Sequence, residues 1–109
     1  MSKMDVDQNT LDTIVKRVLT VVSPDKIILY GSAATGTMTR DSDIDLLLVG
    51  VPEGNRHDET FRVEKAIGDV KFAVDIKFIA PDSFEATKNI IGGIAFPANK
   101  YGKVLYESA

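Results

Sequence analysis

The first part of the chain has the hydrophobic pattern of an amphipathic helix. Apolar residues recur at intervals of three and four positions from Leu11 to Val22, with polar residues such as Lys16 on the opposite side. This spacing predicts a helix over about residues 8–22. Pro24 ends it, because a proline pushes the residue before it out of the helical region.

Four later segments are apolar enough to predict β-strands, and they are residues 26–30, 42–49, 71–79 and 103–107. A helical pattern weaker than the first covers about residues 57–68. A further helical stretch opens at Pro81. We expect it to be interrupted by the glycine pair at 92–93 and again by Pro97, because both residue types disfavour helix interiors.

The order of these elements predicts an α/β (α+β) protein, with a mixed sheet of about four strands and helices packed against it. A helix joins the second strand to the third, which favours a parallel pairing between them. Residues 31–41 are small and polar and predict a loop with at most a short helix. If this loop is to bring the end of the first strand to the start of the second, those two strands must be antiparallel.

Composition narrows the class of protein. A chain of 109 residues is expected to form one domain, residues 1–109. Its 13 basic and 16 acidic residues give a net charge of -3, which argues against a nucleic-acid partner. The lack of cysteine and the single histidine exclude disulfides, thiol nucleophiles and His-rich metal clusters. No apolar run approaches the ~18 residues of a membrane span, so we expect a cytoplasmic protein without a membrane partner.

Two aspartates interrupt the apolar second strand. Asp43 and Asp45 lie two positions apart, so they project from the same face, about 7 Å apart at the backbone. Aspartate is a poor strand former, and two neighbouring carboxylates repel each other unless a cation lies between them. Mg²⁺ is the natural candidate, because it prefers hard oxygen ligands. The alternative, solvated acids on an edge strand, is disfavoured by the apolar residues on both sides of the pair.

A third aspartate, Asp75, occupies the same kind of position in the third strand. On a parallel neighbour it would point to the same end of the sheet as Asp43 and Asp45, and the three could then hold two metal ions about 3.5–4 Å apart. The alternative is an ion pair with Lys77 or Lys71, which could coexist with metal binding.

The dipeptide Gly31-Ser32 follows the first strand directly. Glycine allows a ligand to approach the backbone, and a helix beginning at Ser32 would offer N–H groups to a polyphosphate. Taken alone, the dipeptide is more typical of an ordinary turn with Ser32 as the N-cap. Its spacing changes this, because ten residues separate Ser32 from the Asp43-x-Asp45 pair.

This combination resembles the minimal nucleotidyltransferases of the DNA polymerase β-like superfamily. The resemblance is carried by residues 30–36 (Tyr-Gly-Ser-Ala-Ala-Thr-Gly), residues 41–47 (Asp-Ser-Asp-Ile-Asp-Leu-Leu) and Asp75, and it spans nearly the whole chain. One departure is that Ala33 and Thr35 stand where many relatives have arginine.

The resemblance implies a nucleotidyltransferase fold and Mg²⁺-dependent transfer of a nucleoside monophosphate, AMP from ATP, to a hydroxyl group. Asp43 and Asp45 would bridge two Mg²⁺ ions. Asp75 would complete one shell and orient or deprotonate the acceptor hydroxyl. Gly31 and Ser32 would hold the outer phosphates, which leave as pyrophosphate.

The resemblance also implies a partner: minimal nucleotidyltransferases are often paired with a small helical HEPN protein in toxin-antitoxin modules, where a tyrosine of the partner accepts AMP. Two alternatives stay open, a noncatalytic module that binds nucleotide or partner, and a transferase acting on a small molecule or an RNA end. The sequence leaves a homo-oligomer and the base preference open, and it assigns no role to Lys77, Arg40 or His57.

Overall fold

The computed structural model describes residues 6–39, 42–52, 54–68 and 70–108. Five helices and four strands occur in this part of the chain: α1 (Gln8–Val18), β1 (Lys26–Tyr30), α2 (Ser32–Thr35), β2 (Ile44–Val49), α3 (Arg56–Ile67), β3 (Val74–Ile79), α4 (Pro81–Thr87), α5 (Ala95–Tyr101) and β4 (Lys103–Glu107). β1 and β4 have the predicted bounds. β2 and β3 begin later than predicted, so Asp43 precedes its strand while Asp45 lies inside it.

The strands form one mixed sheet in the order β3-β2-β1-β4. β2 and β3 are parallel, whereas β1 is antiparallel to both β2 and β4. The predicted fold class and both predicted pairings are confirmed. β2 is an inner strand, as its apolar sequence indicated, so the aspartate that it carries is not on an edge.

The two faces of the sheet are covered by different helices. Ile44, Leu46 and Leu48 of β2 share a core with residues of α1 and α3, on what we call the α1/α3 face. Alternate residues of the same strand, Leu47 and Val49, pack with residues of α4 and α5 on the opposite, α4/α5 face. Asp45 has the same parity as Leu47, so it belongs to the α4/α5 face.

Two helix boundaries differ from the predictions. α1 ends at Val18 instead of near residue 22, because the N–H groups of Thr20 and Val21 bond to carbonyls three residues back and tighten the chain before buried Pro24. Pro97 does not interrupt a helix, and that prediction is wrong. It lies in the first turn of α5, where a backbone N–H has no partner within the helix, so its absence costs little.

The segment after β1 returns the chain to the start of β2. α2 is the short helix that the sequence allowed, and Met38 beyond it is fully buried in the core of the α1/α3 face. Thr39 and Ser42 are then joined by hydrogen bonds in both directions, each 3.0 Å long. Arg40 and Asp41 lie outside the described residues.

Within the described ranges, no helix combines the length and the apolar character that crossing a bilayer would require.

Candidate active site

Two of the predicted site residues lie side by side on neighbouring strands. The parallel register of β2 and β3 pairs Asp45 with Asp75 directly. Directly paired residues on neighbouring strands project from the same face, and the strands are about 4.8 Å apart. Both carboxylates therefore lie on the α4/α5 face, at the end of the sheet where β2 and β3 begin. This is the end at which the sequence placed Asp75.

Asp45 and Asp75 form a row across the two strands. The third carboxylate, Asp43, lies just outside this row. It is exposed and stands one residue before β2 begins. The Thr39–Ser42 hydrogen bonds hold the chain immediately before it. Ile44, the next residue, is fully buried and donates its N–H to the Ala73 carbonyl at 2.8 Å. Asp43 is thus held near the aligned pair by fixed backbone on both sides.

The charges of these groups act on one another. Partial burial raises the pKa of Asp45 above its usual 3.8, and the negative charges of Asp75 and Asp43 raise it further. The positive charge of Lys77 opposes this rise only in part. The row therefore carries more negative charge than its surroundings compensate.

Lys77 lies next to the row. Its Nζ is 3.6 Å from Asp75 Oδ1, and both side chains are about half exposed. The ion pair that the sequence offered as an alternative for Asp75 is therefore present. Because both partners face solvent, such a pair contributes only about 0–1 kcal/mol to stability and leaves both groups free to find other partners.

Sequence reasoning missed Tyr30. The antiparallel register pairs Tyr30 of β1 with Asp45, so one row across three strands reads Tyr30, Asp45, Asp75. Burial raises the pKa of the Tyr30 phenol to about 12, and the charges of Asp45 and Asp75 contribute to the rise. The predicted antiparallel pairing could have found it, because the last residue of β1 must face the beginning of β2.

Gly31 follows Tyr30 and lies against the side chain of Asp45. It is the N-cap of α2, with φ of 73° and ψ of -155°, a conformation that is essentially limited to glycine. A Cβ built at Gly31 would collide with Asp45 Oδ2 and would lie 3.3 Å from Asp45 Cγ. The glycine is therefore required both for its backbone angles and for the space that the carboxylate occupies.

Ser32 begins α2, as the phosphate-binding interpretation required. The competing interpretation, Ser32 as the N-cap, does not hold, because Gly31 has that position. His57, the second residue of α3, is exposed on a helix outside the row.

The donor set fits a hard divalent cation in its chemistry: three carboxylates, an excess of negative charge and a glycine that leaves room beside one of them. Over residues 6–39, 42–52, 54–68 and 70–108, however, no three acidic or histidine side chains already surround one point closely enough to form a metal shell. The sheet fixes Asp45 and Asp75 as a pair, and Asp43 is adjacent to them.

The family model described as the nucleotidyltransferase domain matches residues 11–95. No curated protein matches the sequence significantly.

Several solved structures have the same fold. A chain from a toxin-antitoxin complex crystallised with AMP-PNP superposes with a TM-score of 0.61 at 20% identity, over 90% of this chain and 73% of that one. A chain from the mutant MntA-HpeT toxin-antitoxin complex gives a TM-score of 0.61 at 14% identity, over 94% and 75%. A chain from the Shewanella oneidensis complex of tri-AMPylated HEPN toxin with MNT antitoxin gives 0.59 at 16% identity, over 93% and 72%.

We expect Asp45→Asn to stabilise the metal-free protein at neutral pH. The pKa of Asp45 is higher in the folded state than in the unfolded state, where it is close to 3.8. The unfolding free energy therefore falls as pH rises from 3.8 to the folded-state pKa. Removing the charge abolishes this loss. Because Asp45 is partly exposed and screened, the gain should be about 0.5–1 kcal/mol, or roughly 2–5 °C in Tm.

Thermal unfolding between pH 4 and pH 8, with metal chelated, measures this effect. The difference between Asp45→Asn and the wild type should shrink as pH falls, while Asp12→Asn, an exposed acid on α1, should show no such gain. A less stable Asp45→Asn protein at pH 7 would contradict the assignment of repulsion to this row.

We expect Gly31→Ala to damage the row in a way that Gly36→Ala does not. Both glycines have positive φ, 73° and 77°, but a Cβ at Gly36 meets no atom within 4 Å. Gly36→Ala should cost about 1–2 kcal/mol of unfolding free energy from backbone strain alone. Gly31→Ala should cost more and, by displacing the Asp45 carboxylate, should weaken Mn²⁺ binding about tenfold or more.

Urea unfolding and Mn²⁺ titration of both variants provide the comparison. Equal Mn²⁺ affinities in the two alanine variants would show that the space beside Asp45 does not matter.

Proposed function

Since the chain belongs to the nucleotidyltransferase domain family, we propose that this nucleotidyltransferase transfers AMP from ATP to a hydroxyl group of a partner protein, in a Mg²⁺-dependent reaction. The observation that carries the proposal is the direct pairing of Asp45 with Asp75 beside Gly31. A nucleotide bound there would have carboxylates on one side and the backbone of a helix start on the other.

The residues that would hold Mg²⁺ are Asp43, Asp45 and Asp75. Asp45 and Asp75 are already paired, and the exposed Asp43 side chain would join them when a cation offsets their repulsion. When bound, Mg²⁺ ions, two in our proposal, supply charge neutralisation for the triphosphate and for the transition state. The raised pKa of Asp45 is consistent with a carboxylate that lacks a counter-ion in the metal-free protein.

The remaining roles follow from position. Gly31 and Ser32 would hold the outer phosphates at the start of α2, where backbone N–H groups have no partner within the helix. Asp75, about half exposed, would orient the incoming hydroxyl and accept its proton. The hydroxyl oxygen forms a bond to the α-phosphorus, the bond from that phosphorus to the bridging oxygen breaks, and pyrophosphate leaves.

The solved neighbours support ATP as the donor and a HEPN protein as the partner. One neighbouring complex was crystallised with AMP-PNP, and in another the HEPN toxin is tri-AMPylated. The identities are low, so we carry these features over as proposals, together with a tyrosine of a helical HEPN-type partner as the acceptor.

One observation favours a second candidate, a module that binds a nucleotide or partner without turnover. The segment from Gly31 to Thr39 contains no lysine or arginine, so its contribution to triphosphate binding rests on backbone groups and hydroxyls. Against this candidate stands the cost of keeping charged Asp45 partly buried next to Asp75 when no cation is ever bound.

Labelled ATP distinguishes the two candidates. With Mg²⁺, ATP labelled at the α-phosphate and a co-expressed small helical partner, we expect label on the partner. Asp43→Asn or Asp75→Asn should lower the rate by about 100-fold or more, because each removes a carboxylate that would hold Mg²⁺ against the triphosphate in the transition state. Chelation of Mg²⁺ should abolish transfer, and Asp12→Asn, on the other side of the sheet, should leave it unchanged.

Unlabelled partner that still binds both the wild type and Asp43→Asn would support the noncatalytic module instead. Label on an RNA end or a small molecule would retain the enzyme but change its acceptor.

A further inference from the structure

Lys77 places a positive charge beside the carboxylates of Asp75 and Asp45. Its Nζ is 3.6 Å from Asp75 Oδ1, and its charge also acts on Asp45. It follows Asp75 by two positions in β3, so the two side chains share the α4/α5 face. Lys77 is paired across the strands with Leu47 of β2, one step further along the sheet than the pair of aspartates.

A divalent cation that bound Asp75 would compete with Lys77 for the same carboxylate. A metal ion bound to Asp75 would neutralise the carboxylate and repel the ammonium group. The lysine side chain is 53% exposed, so its flexible stem can swing outward over the row without disturbing the core. An exposed pair of this kind is weak, so the exchange costs little.

A bound nucleotide would bring several phosphate charges close to the Asp45–Asp75 pair. The segment after β1, from Gly31 to Thr39, offers backbone N–H groups, a serine and threonines but no basic side chain. Lys77 is close enough to the row to meet a phosphate oxygen there. A lysine ammonium makes a strong, charge-assisted hydrogen bond to such an oxygen.

We propose that Lys77 alternates between two partners: it pairs with Asp75 while the site holds no metal, and it binds a phosphate oxygen of the nucleotide once a divalent cation has taken its place on Asp75. This role rests on the proposed function, since it requires that metal and nucleotide bind at the row. Lys77 then has opposite effects on the two ligands: it competes with the metal and assists the nucleotide.

Removing the charge should therefore change the two affinities in opposite directions. In Lys77→Met, Mn²⁺ binding without nucleotide should become about two- to fivefold tighter, because a competing surface cation is lost. Binding of a Mg²⁺-loaded, non-hydrolysable ATP analogue should become about tenfold weaker, because one charge-assisted hydrogen bond is lost. Lys77→Arg keeps the charge and should keep the nucleotide affinity within about threefold.

The matched control is Lys16→Met, which removes an equal charge from an exposed lysine on α1, across the sheet from the row. Mn²⁺ affinity is measured by electron paramagnetic resonance of the free ion, and nucleotide affinity by calorimetry at fixed ionic strength. Thermal unfolding checks each variant, and Lys77→Gln replaces Lys77→Met if the latter does not fold.

Opposite changes in Lys77→Met, with neither change in Lys16→Met, would support the role. Two outcomes would overturn it while leaving the proposed function intact: affinities equal to those of Lys16→Met, or a parallel loss of both affinities in a folded variant. A wild-type protein that binds neither Mn²⁺ nor the nucleotide would overturn the proposed function, and the role of Lys77 with it.

Discussion

The repulsion between two aligned carboxylates shapes the rest of the site. Asp45 and Asp75 occupy directly paired positions on parallel neighbouring strands, and Asp45 is partly removed from water. Partial burial raises the pKa of Asp45, and the negative charge of Asp75 raises it further. The surroundings include Lys77, but the pKa of Asp45 is still raised. The divalent cation that we propose for this site would offset the cost of this repulsion.

The fold makes the alignment unavoidable, because apolar packing fixes the strand that carries Asp45. Ile44, Leu46 and Leu48 are fully buried on the α1/α3 face, and Leu47 is fully buried on the α4/α5 face. Sliding β2 by one residue would turn all of these side chains to the wrong face, so the register is held by the core. The packing of the apolar core therefore fixes the position of the Asp45 carboxylate.

The sequence predicted the parts of the site that depend on local pattern and on adjacent elements. The strand periods placed Asp45 and Asp75 on the two strands joined through α3, and the parallel crossover then brought them to one end of the sheet. Tyr30 was missed because its place follows from the pairing of β1 with β2 and not from the pattern of β1 alone, although the predicted antiparallel pairing already implied it.

Predictions from local sequence patterns were wrong where the outcome depends on the point at which a helix or strand begins. Pro97 would break the middle of a helix, but α5 begins only two residues before it, so the proline falls where it is tolerated. Likewise the alternation of residues assigned Asp43 to the strand, whereas β2 begins at Ile44 and leaves Asp43 exposed. Whether the three acids converge on one ion depends on that single exposed side chain.

Diffraction at the manganese absorption edge, from crystals grown with Mn²⁺ and a non-hydrolysable ATP analogue, tests the central claim most directly. Our account predicts anomalous peaks about 2.1–2.2 Å from carboxylate oxygens of Asp43, Asp45 and Asp75, with the triphosphate between them and the start of α2. Manganese bound elsewhere, or a nucleotide held away from these three side chains, would contradict it.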